Sequence, residues 1–448
     1  MLQTTAGLVR AALRSRPGAC WCSRLLGTAA RADKEEAASM SKEETASRGT
    51  EELWIKRRPL PTTTSMEYKI PTDPYLLVKK FQEVTRIGKL DDAVAIVMQT
   101  KTRNQSVVVW NLVINEYAQT GRLSRALRAY TEMRKRGFKP TQTTFTALLK
   151  ACAHSTSDKR VAMAEHLLDS MPSHGIEPSI INHNALLDVY QRQHNLTALL
   201  EHFNVLPGDG PGAPSLETYT IAISACRREL QRRLDELAST VAGNDADKKP
   251  TFGDSRRTAL VKGNVRSAFT ALMDLWTTYV DDAVRRLDQP QAETPRLEID
   301  THIVRVVLKA CHAVYSENRA LGRRGIDVAE QVYGFDRDLG AAPKGPPHAA
   351  AAAPLAVRLR NTGGSGAGSA PGASVDSAIV DLVLGLCRRD KQYTKAIRFW
   401  RSLETHFADD AEPLREQHAD LLRTIQSQVR IPLPQAVQDA AASARLAP

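Results

Sequence analysis

The 448-residue chain lacks the signatures of most chemistry. No apolar run reaches the about 18 residues that a membrane-crossing helix needs, so no membrane span is expected. Aromatic residues make up only 5%. There are six cysteines, and Cys152, Cys226, Cys311 and Cys387 stand far apart, which excludes zinc-ligand spacing and redox pairs. No Walker loop or dinucleotide fingerprint occurs, and the glycine run from Gly363 to Gly372 follows no strand and reads as linker. A zinc deaminase needs H-x-E with a later C-x-x-C, and neither is present. With no acid/base dyad either, the chain is read as non-enzymatic, with no catalytic residue, metal or cofactor.

Acidic residues are missing from one place in particular. Residues 1–32 hold five arginines (Arg10, Arg14, Arg16, Arg24 and Arg31) and no Asp or Glu. Leu8, Val9, Leu13, Leu25 and Leu26 supply apolar positions, but the arginines interrupt any continuous apolar core, which a secretory signal requires. This is the composition of a mitochondrial transit peptide, and a matrix location is expected. The formal net charge of +11 falls to +6 without these arginines, so the remainder is mildly basic and suits an acidic partner.

What the chain does contain is repetition. Residues 33–72, rich in Ser and Glu and then in Pro, read as a solvated linker. From Pro74 the pattern turns helical. In residues 107–141 Trp110, Val113, Ile114 and Tyr117 form one helical face, Thr120-Gly121 breaks it, and Leu123, Ala126, Leu127, Tyr130 and Met133 form another. Gly137 and Pro140 close the unit. The same grammar recurs from residue 142 (Phe145, Leu148, Leu149, Cys152) and from residue 180 (Leu186, Leu187, Tyr190). It starts again at residue 216 (Tyr219, Ala222, Ile223, Cys226) and, upstream, at residue 74 (Leu77, Phe81, Val84). Starts at 74, 107, 142, 180 and 216 give steps of 33, 35, 38 and 36 residues, the period of stacked helical hairpins. The expected fold is all-α, an α-solenoid. The cysteines read as small core residues within it.

Beyond this array (73–228) the pattern weakens. Residues 229–264 read as a charged insertion, 265–339 as degenerate helical repeats, and 340–375 as an Ala/Gly/Pro low-complexity linker. Residues 376–430 read as a last hairpin and 431–448 as a tail.

The first helices WNLVINEYAQTG, TFTALLKACAHS and NHNALLDVYQRQ, with the closing EMRKRGFKPT and SMPSHGIEPS, resemble pentatricopeptide repeats. The resemblance is specific over about 74–228 and weak over 265–404. The W-x₂-L-G-x₂-Y pattern of the peptide-binding 34-residue repeats is absent. The resemblance implies that each repeat reads one base of single-stranded RNA. It places base reading at the residue after the first helix's aromatic position and at the last residue of the repeat. Those are Asn111 with Thr141, Thr146 with Ser179, Asn184 with Ser215, and Thr220 without a clear partner. It gives Val108, Thr143 and Ile181 the packing position between bases, where Glu217 does not fit. Arg86, Arg192 and Arg228, late in first helices, become phosphate contacts. Asn at the first reading position implies a pyrimidine and Thr a purine. The arrangement is also similar to fungal-type mitochondrial factors for small-subunit ribosomal RNA processing or intron splicing. The expected partners are single-stranded mitochondrial RNA, such as a small-subunit ribosomal RNA precursor, and the mitochondrial small ribosomal subunit. The expected state is a monomer. A role in mRNA stability or translation, or as a structural protein of the mitochondrial ribosome, is the alternative.

Overall fold

The computed structural model describes residues 60–64, 68–210, 212–242, 252–288, 294, 297–335, 355 and 375–428. The transit peptide, the first part of the linker, most of 340–375 and the tail lie outside the described residues. Those described form fifteen α-helices and no strand.

Four short hairpins come first: α1 (Pro74–Arg86) with α2 (Leu90–Gln99), α3 (Val107–Gln119) with α4 (Leu123–Lys135), α5 (Gln142–His154) with α6 (Arg160–Ser170), and α7 (Ile180–Arg192) with α8 (Leu196–Val205). Each starts at the repeat boundary that the sequence marks. Their first helices begin on polar caps, because four leading N–H groups need acceptors. Asp73 accepts from Tyr75 and Leu76 at 3.0 and 3.1 Å. Thr141 with Thr144, and Ser179 with Asn182, form capping boxes. At the α3–α4 turn, Gly121 has φ of +67°, and a Cβ there would lie 2.9 Å from the His154 carbonyl oxygen. Only glycine meets both demands.

The core residues of the periodic pattern are buried as expected. Trp110, Val113, Ile114, Tyr117, Phe145, Leu148, Leu149 and Cys152 are fully enclosed. First helices pack on first helices along the row α1, α3, α5, α7, and second helices pack mainly on first helices. The first helices therefore form one continuous inner row, with the second helices packed on its other side.

The row does not stop at residue 228. It runs on through α9 (Leu216–Ala242), α11 (Thr301–Val314) and α13 (Ser377–Arg389), each packed on the one before. Their partners are α10 (Phe252–Asp288), α12 (Arg319–Tyr333) and α14 (Tyr393–His406), and α15 (Ala408–Ser427) covers the end. Of the stretch 229–264, expected as an insertion, residues 229–242 continue α9 and 252–264 open α10. The last segment adds a third helix to the expected hairpin. α9 and α10 form the longest hairpin, tied by the Tyr219 hydroxyl donating to Asp282 at 2.6 Å.

Candidate nucleic-acid interface

In the first five hairpins the second residue of the first helix is exposed. Tyr75, Val108 and Ile181 are large hydrophobic side chains left 76%, 58% and 56% exposed. Thr143 and Glu217 occupy the same position and are also exposed. Exposed apolar groups scattered singly need no explanation. Repetition once per hairpin at one register does. Sequence reasoning passed over Tyr75, although it is the second residue of the unit starting at Pro74.

Three residues further on lies a polar ladder that joins each hairpin to the next. The Asn111 Nδ2 donates to Thr141 Oγ1 at 3.2 Å, and the Thr144 hydroxyl donates to Asn111 Oδ1 at 2.6 Å. Thr144 in turn accepts the Thr141 N–H at 3.0 Å, so the capping box of α5 fixes which way the Asn111 amide faces. The amide keeps one N–H and one lone pair free. Asn184 repeats the pattern with Ser215 at 3.4 Å and Thr218 at 2.6 Å. It has one more acceptor, Glu217 Oε2, at 3.3 Å.

Thr146 and Ser179 are joined indirectly. Asn182 Nδ2 donates to Thr146 Oγ1 at 3.0 Å, and Ser179 Oγ donates to Asn182 Oδ1 at 3.0 Å. The Thr146 hydroxyl donates to the Gln142 carbonyl at 3.0 Å, so it can offer a ligand only a lone pair. Thr220 likewise donates to the Leu216 carbonyl, at 2.8 Å. Its missing partner position falls on Asp300, the residue before α11, as Thr141 and Ser179 precede α5 and α7. One hairpin later the rung is ionic: Arg305 on α11 meets Asp376, the cap of α13, at 2.9 Å. The last residue of every unit is thus the N-cap of the next first helix. That accounts for Ser and Thr at these positions. The linking residues Thr144, Asn182 and Thr218 escaped sequence reasoning because they lie in the following unit and are buried.

The three arginines differ. Arg86 and Arg228 are exposed on α1 and α9. Arg192 is exposed as well, but it holds Asp188 at 2.9 Å, so part of its charge is answered within α7. The basic run on α4 is structural to a large degree. Arg125 and Arg122 reach Asp91 of the preceding hairpin at 2.6 and 3.6 Å, and Arg136 bonds Glu132 at 3.0 Å and lies over the Trp110 ring. Burial pushes the thiols of Cys152, Cys226, Cys311 and Cys387 up to about 12, so none is a nucleophile at neutral pH.

A row of helical hairpins with one inner face carried through every unit defines an α-solenoid of the repeat-protein class. Family models describing a PPR repeat family and a pentatricopeptide repeat domain match residues 105–154 and 166–228. Residues 105–154 and 166–228 thus carry pentatricopeptide repeats. The chain is similar to a chloroplastic pentatricopeptide repeat-containing protein of Arabidopsis thaliana, 29% identical over 155 residues, which cover 34% of this chain and 19% of that one. A mitochondrial one from the same plant is 27% identical over 173 residues, 38% of this chain and 24% of that one. The matches thus span about a quarter or less of these relatives' length. Among solved structures, that of the pentatricopeptide repeat protein PPR10 in complex with an 18-nt psaJ RNA element is similar, at 15% identity and a TM-score of 0.31. The likeness covers 80% of this chain and 54% of that one.

Proposed function

We propose that this protein binds single-stranded RNA along its inner first-helix face, without catalysing a reaction on it. The observation that carries the reading is the recurrence, in three successive hairpins, of an exposed side chain (Val108, Thr143, Ile181) followed three residues on by an amide or hydroxyl (Asn111, Thr146, Asn184). An apolar or small group can pack between bases while its neighbour hydrogen-bonds a base edge, and successive hairpins take successive bases. Asn111 offers a donor and an acceptor, Thr146 an acceptor alone. This supports different bases at adjacent positions, a pyrimidine at Asn111 and a purine at Thr146.

The acid-free arginine-rich stretch 1–32 supports a mitochondrial site of action, and one chloroplastic and one mitochondrial relative support an organellar one more broadly. A protein that only occupies single-stranded RNA acts by exposing, shielding or holding open a segment. Maturation of organellar RNA, above all of the small-subunit ribosomal RNA, is the role assigned. Crosslinking the tagged protein in cells and sequencing the bound RNA tests this directly. Reads concentrated in one mitochondrial transcript segment are expected, and recovery of cytosolic RNA alone, or none, sinks the proposal. A reporter fused to residues 1–40 should enter mitochondria.

A further inference from the structure

Asn111 and Asn184 hold the same place in their hairpins, but only Asn111 has a hydrogen to spare. Both carbonyls accept a threonine hydroxyl at 2.6 Å, and both amides give one hydrogen to the next N-cap hydroxyl. The second hydrogen of Asn184 goes to Glu217 Oε2 at 3.3 Å. Asn184 is also only 4% exposed, beneath that carboxylate. Glu217 itself stands at the exposed register that Tyr75, Val108, Thr143 and Ile181 fill in the earlier hairpins. The inner face after it is closed in another way. Arg305 is occupied by Asp376 at 2.9 Å and by His302 at 3.3 Å.

We propose that Glu217 ends base reading along the row, by taking the Asn184 hydrogen a base would need and by placing a carboxylate where the next base would pack. This rests on the reading of the inner face as an RNA-binding surface, and it deepens that reading by setting where base recognition stops, whether or not the backbone of the strand runs on. The physical grounds are simple. A carboxylate has no hydrogen to give, so it cannot replace the amide as a donor. A base edge that competes for the Asn184 hydrogen must break a charge-assisted bond, the stronger kind. A carboxylate beside a strand of phosphates is also repelled, with little screening at low salt. The solenoid is therefore divided. Hairpins from residue 107 to 179 read bases, the hairpin from 180 to 215 is silenced by Glu217, and those from 216 onward support the row without reading.

The test is a gain of binding, which a misfolded variant cannot imitate. The full chain, its Glu217→Val and Glu217→Gln variants and the double variant Glu217→Val/Asn184→Ala are titrated with labelled oligouridine, oligocytidine and oligoadenosine of about ten nucleotides. Glu217→Val should tighten binding to at least one polymer by on the order of tenfold, and Glu217→Gln by less, because its side chain still accepts the amide hydrogen. The double variant should lose most of that gain, since the freed amide is gone and only the relief of the carboxylate remains. If wild type binds and Glu217→Val binds no better, base reading does not end there, and the RNA reading stands without this inference. A gain that survives Asn184→Ala in full assigns the effect to charge alone and overturns the amide mechanism. If neither wild type nor any variant binds any polymer, the RNA reading fails, and this inference with it.

Discussion

Whether an asparagine on this face can read a base depends on residues of the following hairpin. Thr144 fixes the Asn111 amide by donating to its Oδ1 at 2.6 Å while accepting the Thr141 N–H at 3.0 Å. Without that hydroxyl the amide can turn over and offer donor and acceptor interchangeably. Thr144→Val should therefore flatten discrimination at the base opposite residues 107–141, where one such bond gives at most about tenfold. Affinity for the remaining bases should change little. Thr144→Ser keeps the hydroxyl and should keep the discrimination. If Thr144→Val ranks single-base RNA variants as wild type does, the relay has no role. A second residue-scale effect concerns His202, whose ring nitrogen lies 3.0 Å from that of His183. Burial, then the neighbouring His183, holds the His202 pKa down at about 4, against the opposing pull of Asp169. Burial also lowers His183. The unfolded chain thus binds protons between 6.5 and about 4 that the folded chain refuses. Stability is full above the unfolded pKa and falls as the pH drops through that window. After discounting for partial exposure, the loss at His202 is about 1–2 kcal/mol. Thermal melting at pH near 7 and near 5 should show it, and His202→Leu should make the slope shallower. An unchanged slope removes His202 as its source.

At the scale of elements, the short hairpins were legible because each first helix buries a wide apolar face, as Trp110, Val113, Ile114 and Tyr117 do in α3. The long hairpin α9–α10 was not. Its outer part offers a narrow seam, Cys226, Leu230 and Leu237 on one helix, Val261, Val265 and Phe269 on the other. Between them the charges satisfy one another within the helix. Arg232 and Arg233 hold Glu229 at 2.6 and 2.7 Å, and Arg233 reaches Glu236 at 3.3 Å. Such i,i+3 and i,i+4 pairs let a helix continue through a segment that reads as polar in sequence. The site was half legible for a related reason. Asn111 and Thr141 are found by register, whereas Thr144, Asn182 and Thr218 act across a hairpin boundary that no local pattern marks. Glycines on long helices show what packing adds to propensity. A Cβ on Gly325 of α12 would lie 2.6 Å from Leu386 Cδ1 and 2.8 Å from Cys311 Cβ. The Cys311 Cβ is fixed by its backbone and cannot retreat. Gly325→Ala should destabilise by about 1–3 kcal/mol despite the better helix propensity of alanine. Gly263 of α10 has nothing within 4 Å, so Gly263→Ala should stabilise by about 0.5–1 kcal/mol. Denaturant titration of both variants checks the pair, and a Gly325→Ala gain in stability contradicts the packing of α12 on α11 and α13.

For the whole molecule the remaining question is how charge is distributed along the inner row. The net charge of +11 overstates the field at this face, since five arginines lie in residues 1–32 and Arg122, Arg125 and Arg136, on and beside α4, are paired with Asp91 or Glu132. What can face a phosphate chain is a sparse series near the ends of first helices, with Arg86 and Arg228 exposed and Arg192 shared with Asp188. Each phosphate neutralised on a single strand releases about 0.7 of a counterion, which appears as a slope of affinity against salt. Converting Arg86 and Arg228 together to Gln should lower the magnitude of that slope by about 1.4, equally for every RNA sequence, because phosphates carry no base information. Arg192→Gln should lower it by less than about 0.7, since Asp188 already answers part of the arginine charge. The measurement is the affinity for one labelled oligouridine over a range of salt, with helical content checked by circular dichroism. A slope unchanged in the Arg86/Arg228 variant means that these side chains are solvated surface and that RNA is held by base contacts alone. A slope that falls most in Arg192→Gln would reverse the order of the three and assign Asp188 to solvent once RNA is bound.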